Sequence, residues 1–316
     1  MLILNRCNLG RSVSSLLVSS IVLFSAPALA GNQTGVETGS SAPDSSAVRA
    51  TGNSGSSNRP YWRTNLFGRF FRDQKYLFTS WWPAEIRRPG FTAPLVGGIA
   101  FASTSDWSNG EGPDLELEEY IQNESRGRAK GPARVFTDIG DGLAGAVLIG
   151  SGYLIGRWSG HERLAEASSL SAEALLSAGV WSTALKAIAV RARPGNESRG
   201  EFFDRDAPPG QSVDSFPSGH ATGAFAIATV VSGVYRDSRW IRWVAYGTAG
   251  LVGYSRIALG RHFPSDVFVG GLLGNSLGRM VLAHREEPRM SASTFRPFFD
   301  PARQTVGVAW SRTWFK

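Results

Sequence analysis

Two of the four histidines stand in short clusters of small and charged residues. One cluster is Pro217-Ser218-Gly219-His220; the other is Ser255-Arg256, five residues, His262, three residues, then Asp266. A third, earlier in the chain, reads Lys186, six residues, then Arg193-Pro194. Histidine can attack an electrophile or move a proton near neutral pH. Arginine and lysine neutralise the oxygens of a tetrahedral anion, and a Ser-Gly pair at a helix start leaves backbone N–H groups free for it. Together the clusters supply two imidazoles, three cations (Lys186, Arg193, Arg256), an anion nest (Ser218, Gly219) and an orienting carboxylate (Asp266). That inventory suits phosphoryl transfer, in which one histidine attacks phosphorus and the other protonates the leaving oxygen.

Each cluster also has a plainer reading. Lys186 and Arg193 fall two turns apart on one face of a predicted helix that Pro194 ends, where the macrodipole favours cations in any case. Ser218 is a natural N-cap, which accounts for Ser218-Gly219 but not for His220 in the first turn. Gly260 and Pro264 put His262 at a loop-to-helix junction. Asp266, one turn on, can accept a hydrogen bond from one imidazole nitrogen and leave the other as nucleophile. Pro264-Ser265-Asp266 would serve equally as an ordinary helix start. His161 and His284 lie outside every cluster and are expected at the surface. No His/Asp/Glu grouping has metal-ligand spacing, so metal-independent chemistry is expected.

The elements that must position these residues are helical. Apolar residues recur at helical spacing over about 92–104, 135–158, 163–191, 218–235, 240–259 and 264–284, an all-α bundle of about six core helices. Residues 105–133 are polar, acidic and then basic, and read as a solvated helix or loop; 195–216 form a long Gly/Pro/Asp-rich loop. Residues 1–30 have the layout of a secretory signal peptide, with Arg6 and Arg11 before an uncharged stretch ending Ala28-Leu29-Ala30. A Gly/Ser/Thr-rich linker follows over 31–60. An aromatic and arginine-rich N-terminal arm spans 61–91, read as an extended segment packing on the domain or as an interfacial membrane contact. After the catalytic domain, 92–284, the tail 285–316 holds one candidate strand around Val306, Val308 and Trp310.

Composition narrows the partners. The formal net charge is +7, or +5 without Arg6 and Arg11, but the cations are dispersed and no run resembles a nucleic-acid arm. The single cysteine, Cys7, lies in the signal, so the mature chain has neither disulfides nor a thiolate nucleophile. After the first helix the longest charge-free runs in the core, 142–156 and 221–235, are 15 residues each, short of the ~20 that a membrane span needs; residues 89–105 are also uncharged but begin with Pro89-Gly90 and include Pro94. A soluble bundle exported to the periplasm is the expectation, with peripheral membrane contact through the aromatic arm.

The three clusters, in this order and spacing, resemble the signature of the type 2 phosphatidic acid phosphatase and vanadium haloperoxidase superfamily. Ser215-Phe216 before the second cluster and GYSRIALGRHFPSDVFVGGLLG across the third fit as well. The resemblance covers about residues 92–284. It implies core helices surrounding a phosphate site, with Lys186, Arg193, Ser218, Gly219 and Arg256 binding phosphate. It also implies His220 as acid, His262 as the residue phosphorylated and Asp266 as its support. The leading expectation is a phosphatase for phosphomonoesters or diphosphates, with no cofactor. One alternative is a lipid-phosphate or polyprenyl-diphosphate phosphatase docked at the membrane. Another is a haloperoxidase holding vanadate in the same pocket.

Overall fold

In the computed structural model the six expected helices are all present, the second of them as two. The structure describes residues 60–104, 112–125, 130–195, 200–205, 208–286, 294–300 and 305–311, all within one compact unit, Pro60–Lys316. The expected signal peptide and the expected linker as far as Arg59 lie outside the described residues. A 3-10 turn, Tyr61–Arg63, leads into α1 (Leu66–Tyr76), a π turn (Leu77–Trp81) and α2 (Trp82–Glu85). Next come α3 (Pro89–Ala102), α4 (Pro113–Glu124), α5 (Lys130–Ile139), α6 (Gly142–Trp158) and α7 (Glu162–Ala189). The chain then forms α8 (Gly219–Val234), α9 (Arg239–Ala258) and α10 (Pro264–Glu286). An antiparallel hairpin, β1 (Thr294–Asp300) with β2 (Thr305–Ser311), completes the described elements.

Helix α8 is the centre of the bundle, packed against α7, α9 and α10. Small residues set its spacing. Gly270, Gly274 and Gly278 recur every fourth residue along α10, and a Cβ on Gly274 would fall 2.1 Å from the carbonyl oxygen of Thr222 on α8. The two backbones therefore touch, and only glycine permits it. Around this contact Leu170, Ala174, Ala178, Ala226, Val230, Leu277 and Met280 form the buried core. The Ser218 N–H also donates to the Asp266 carbonyl (3.0 Å), tying the start of α8 to the first turn of α10.

Several expectations are corrected. The span 135–158 is not one helix: Gly140 and Asp141 break it, Asp141 caps α6 through the Leu143 N–H (2.9 Å), and α5 and α6 meet at 59°. Residues 105–133 are not wholly solvated, because α4 buries Asp114 and Glu118 with Leu115 and Ile121. The arm 61–91 is helical rather than extended. It is clamped to α7 by the fully buried Arg69, whose Nε donates to Glu173 (2.8 Å) and whose guanidinium also donates to the Trp62 carbonyl (2.7 Å). Trp62 and Leu77 enter the core. His284 is buried, not exposed, its Nδ1 2.5 Å from Asp73 of α1; His161 is exposed. The lone strand has a partner, β1, which contains Pro297; a two-stranded ladder leaves each strand an outer edge where proline is tolerated.

Among the described residues no single helix is long and apolar enough to cross a membrane; α5 and α6 pass that test only together, across their bend. The bundle nevertheless exposes large apolar side chains, including Leu143, Val147, Leu148 and Trp158 on α6 and Trp240, Trp243 and Val244 on α9.

Candidate active site

Separate elements bring the predicted residues to one place. Lys186 leaves the last turn of α7, Ser218, Gly219 and His220 open α8, Arg256 ends α9, His262 lies in the connection to α10, and Asp266 is in the first turn of α10. A Cβ on Gly219 would sit 3.9 Å from Lys186 Cε, so the nest and the lysine face each other. His220 feels the charge of His262, and both feel Arg256 and Lys186.

Arg193 arrives differently from the expectation. Helix α7 stops at Ala189 because Val190 turns left-handed (φ 42°), so Lys186 and Arg193 do not share a helix face. They converge on Asp214 instead. The Arg193 Nη2 donates to Asp214 Oδ2 (2.9 Å), with Nε 2.9 Å from Oδ1, and Lys186 Nζ lies 2.5 Å from the Asp214 carbonyl and 3.5 Å from Oδ2. Burial pushes the Asp214 carboxyl up, but the two cations together outweigh it and hold it below its usual value. A carboxylate of the protein thus engages the cations expected to bind phosphate.

The tautomer of His262 follows from its neighbours. His262 is buried, and its Nδ1 is 2.7 Å from the carbonyl oxygen of Ser215, which can only accept; Nδ1 therefore carries the proton and Nε2 a free lone pair. The expected direct bond to Asp266 is not formed, since Asp266 Oδ2 stands 3.6 Å away. That oxygen instead accepts from Ser215 Oγ (2.6 Å) and the Phe263 N–H (2.9 Å), holding the loop that orients the ring. Burial alone would raise the Asp266 carboxyl, but Arg191, His262 and Ser215 reverse this and keep it far below the normal carboxylate range.

Other groups stand ready for an oxyanion. Ser218 occupies the N-cap of α8 without making a side-chain cap, and its buried Oγ has no hydrogen-bond partner. The buried Nε of Arg256 has none either. Burial, then Arg193 and Arg261, lower the Arg256 guanidinium to about 10, so it stays charged at neutral pH. Burial, then Arg256 and His262, push the His220 imidazole down to about 4, so without an anion beside it His220 is neutral. Among the described residues no three His, Cys, Asp or Glu side chains group as a metal site would require.

Two cavities meet at His220. One, of about 560 Å³, runs between α6, α7, α8 and α9 and is mostly apolar, walled by residues such as Leu148, Leu175, Ile227, Trp240 and Val244. The other, of about 550 Å³, is lined by Arg193, Arg256 and further cations. His220 and Asp141 line both.

Sequence reading missed the residue on which the positioning depends. Arg191 is fully buried between the rings of Phe202 and Phe263 (4.7 and 4.4 Å) and bridges Asp266 (2.6 Å) and Asp114 (2.9 Å). It also donates to Ser265 Oγ (2.8 Å) and the Gly200 carbonyl (2.8 Å). Its only signal was a second arginine two positions before Arg193. The acidic run read as solvated had hidden its partner, Asp114.

The family model described as the PAP2 superfamily matches residues 169–288. The lipid A 1-phosphatase of Porphyromonas gingivalis is 39% identical over 79 residues, 25% of this chain and 18% of that protein. The lipid A 4'-phosphatase of the same organism is 35% identical over 66 residues, 21% of this chain and 28% of that protein. The matched segments thus span less than a third of either curated relative. Among solved structures, LpxE of Aquifex aeolicus aligns at 29% identity, covering 54% of this chain and 94% of that one, with a TM-score of 0.43. A transmembrane PAP2 type phosphatidylglycerolphosphate phosphatase from Bacillus subtilis aligns at 21% identity, covering 63% and 97%, with a TM-score of 0.48.

Proposed function

We propose, from the match of residues 169–288 to the PAP2 superfamily, that this chain is a phosphatase of phosphorylated lipids, working through a phosphohistidine on His262. The observation that carries this reading is the position of His220 at the meeting of a cationic and an apolar cavity. An ester oxygen beside His220 would have phosphate on one side and room for hydrocarbon on the other. A water-soluble phosphomonoester would leave the apolar cavity unused. The two Porphyromonas relatives, a lipid A 1-phosphatase and a lipid A 4'-phosphatase, support the same substrate class.

In the proposed reaction Lys186, Arg193, Arg256 and the first-turn N–H groups of α8 hold the phosphate oxygens. The Nε2 of His262 attacks phosphorus; the bond to the ester oxygen breaks, and His220 gives that oxygen its proton. Neutral His220 then takes a proton from water as the water attacks phosphorus, the P–N bond breaks, and phosphate leaves. The dianion itself supplies the charge that protonates His220, whose environment otherwise disfavours it. Asp266 acts through the Ser215 loop and by its negative charge, which favours the imidazolium-like intermediate. Vanadate, a tetrahedral oxyanion, would occupy the cradle as an analogue.

The exposed apolar surface of α6 and α9 flanks the apolar cavity, so we place this face against a membrane and the site on the exported side, as the N-terminal sequence suggests. The test is phosphate release in mixed micelles from a lipid phosphomonoester and from a soluble aryl phosphate, without added metal. Burying four methylenes is worth about 3 kcal/mol, so the lipid should be favoured roughly a hundredfold in kcat/KM. His262→Gln should abolish turnover and the acid-labile phosphoenzyme. Equal rates on both substrates would end the lipid reading, and an active His262→Gln protein would end the mechanism.

A further inference from the structure

The cationic cavity holds more charge than one phosphate uses. Five cations line it, Lys130, Arg134, Arg193, Arg256 and Arg261, against the carboxylates Asp138 and Asp141. Arg193 and Arg256 belong to the phosphate cradle described above. The other three do not. Lys130 and Arg134 are four residues apart on α5, on one face of the helix. Arg261 immediately precedes His262 and lies close enough to Arg256 to depress its pKa. Among the described residues none of the three side chains makes an ion pair or a hydrogen bond, although carboxylates elsewhere in the protein are extensively paired. The cavity's volume, about 550 Å³, is several times the room a phosphate needs; a water takes about 30 Å³ in the liquid, and a phosphate on the order of three or four times that.

We infer that Lys130, Arg134 and Arg261 form a second anion subsite, which takes a further phosphate or carboxylate carried by the same substrate molecule. The inference rests on the lipid-phosphatase reading and narrows it: the substrate is an amphiphile with at least two anionic groups. One enters the cradle beside His262, the other is held toward α5, and the hydrocarbon fills the cavity between α6 and α9. Both anion positions open from His220, so a single headgroup can span them. The exposed positions of Lys130, Arg134 and Arg261 place this subsite at the mouth, where it selects and orients the headgroup before chemistry.

The test compares the full-length protein with a Lys130→Ala/Arg134→Ala double variant in mixed micelles. Two lipids with identical acyl chains are used, one with a single phosphomonoester and one with an additional phosphate elsewhere on the headgroup. The ratio of kcat/KM for the doubly over the singly phosphorylated lipid should fall about tenfold, as expected for losing charge-assisted contacts at a solvated site, with the change in KM. A ratio unchanged within twofold, or equal losses on both lipids, would overturn the subsite. Equilibrium binding of the same lipids, followed by tryptophan fluorescence, reads the subsite without turnover, so an inactive preparation bears on the proposed reaction and not on this inference. Stimulation of the singly phosphorylated lipid's turnover by added sulfate would show that a free anion fills the subsite, and would equally overturn the same-molecule claim.

Discussion

Replacing Asp214 with asparagine should make the protein bind phosphate more tightly, although a charged residue is lost from the site. Asp214 meets both cations that open the cradle, with two contacts of 2.9 Å to Arg193 and one of 3.5 Å to Lys186. An incoming oxyanion must take these partners from it. The Asp214 side chain is 51% exposed, so solvent screens the interaction, and the pair is worth about 1 kcal/mol rather than the several that buried geometry would give. Its removal should lower the inhibition constant of inorganic phosphate about fivefold, by the same conversion of free energy to affinity. The sign with pH is fixed by the depressed carboxyl: its hold on the cations is present above the folded pKa and lost as pH falls through it. Wild type and Asp214→Asn should therefore converge in strongly acid solution. The assay is competitive inhibition of lipid phosphate hydrolysis by phosphate at neutral pH. An inhibition constant that stays the same or rises in Asp214→Asn refutes the view of Asp214 as an internal competitor and makes it a structural brace.

Three further outcomes are expected. Arg191→Met removes the cation bridging two buried carboxylates, Asp114 and Asp266, and should destabilise the fold by about 3–5 kcal/mol, measured by urea denaturation; a loss under 1 kcal/mol contradicts the bridge. Sulfate does not titrate in the accessible range, whereas His220 in the free protein does so at about 4; calorimetric sulfate affinity should weaken as pH rises above that value, by up to tenfold per unit while the bound state retains the proton, and a flat profile would remove His220 from the anion site. Gly274→Ala places a methyl 2.1 Å from the Thr222 carbonyl and should cost on the order of 1–3 kcal/mol while lowering kcat more than it raises KM; an unaltered kcat would show that the helix spacing is not transmitted to the histidines.

The candidate site residues were legible because each motif is local. Ser218, Gly219 and His220 are read along one helix start, and His262 and Asp266 along one turn, so linear spacing already fixes their neighbourhood. The supports were not legible, since they are made by partners far away in sequence: Arg191 with Asp114, His284 with Asp73, Arg69 with Glu173. A charge that finds a distant buried partner looks, in one dimension, like a solvated charge. The left-handed Val190 was equally hidden, because a β-branched residue gives no warning of a positive φ. By contrast, the break at Gly140-Asp141-Gly142 had its signal, a capping aspartate between two glycines, and the apolar pattern on either side outweighed it.

The glycine seam between α8 and α10 has a consequence for how such a protein can diversify. Where main chain rests on main chain there are no rotamers to adjust, so the distance between the two histidine-bearing helix starts behaves as a fixed gauge. On the proposed reading, changes in substrate preference must then come from the outer wall, the α5 and α9 side chains and the Asp214 loop, which can vary without moving the two histidines.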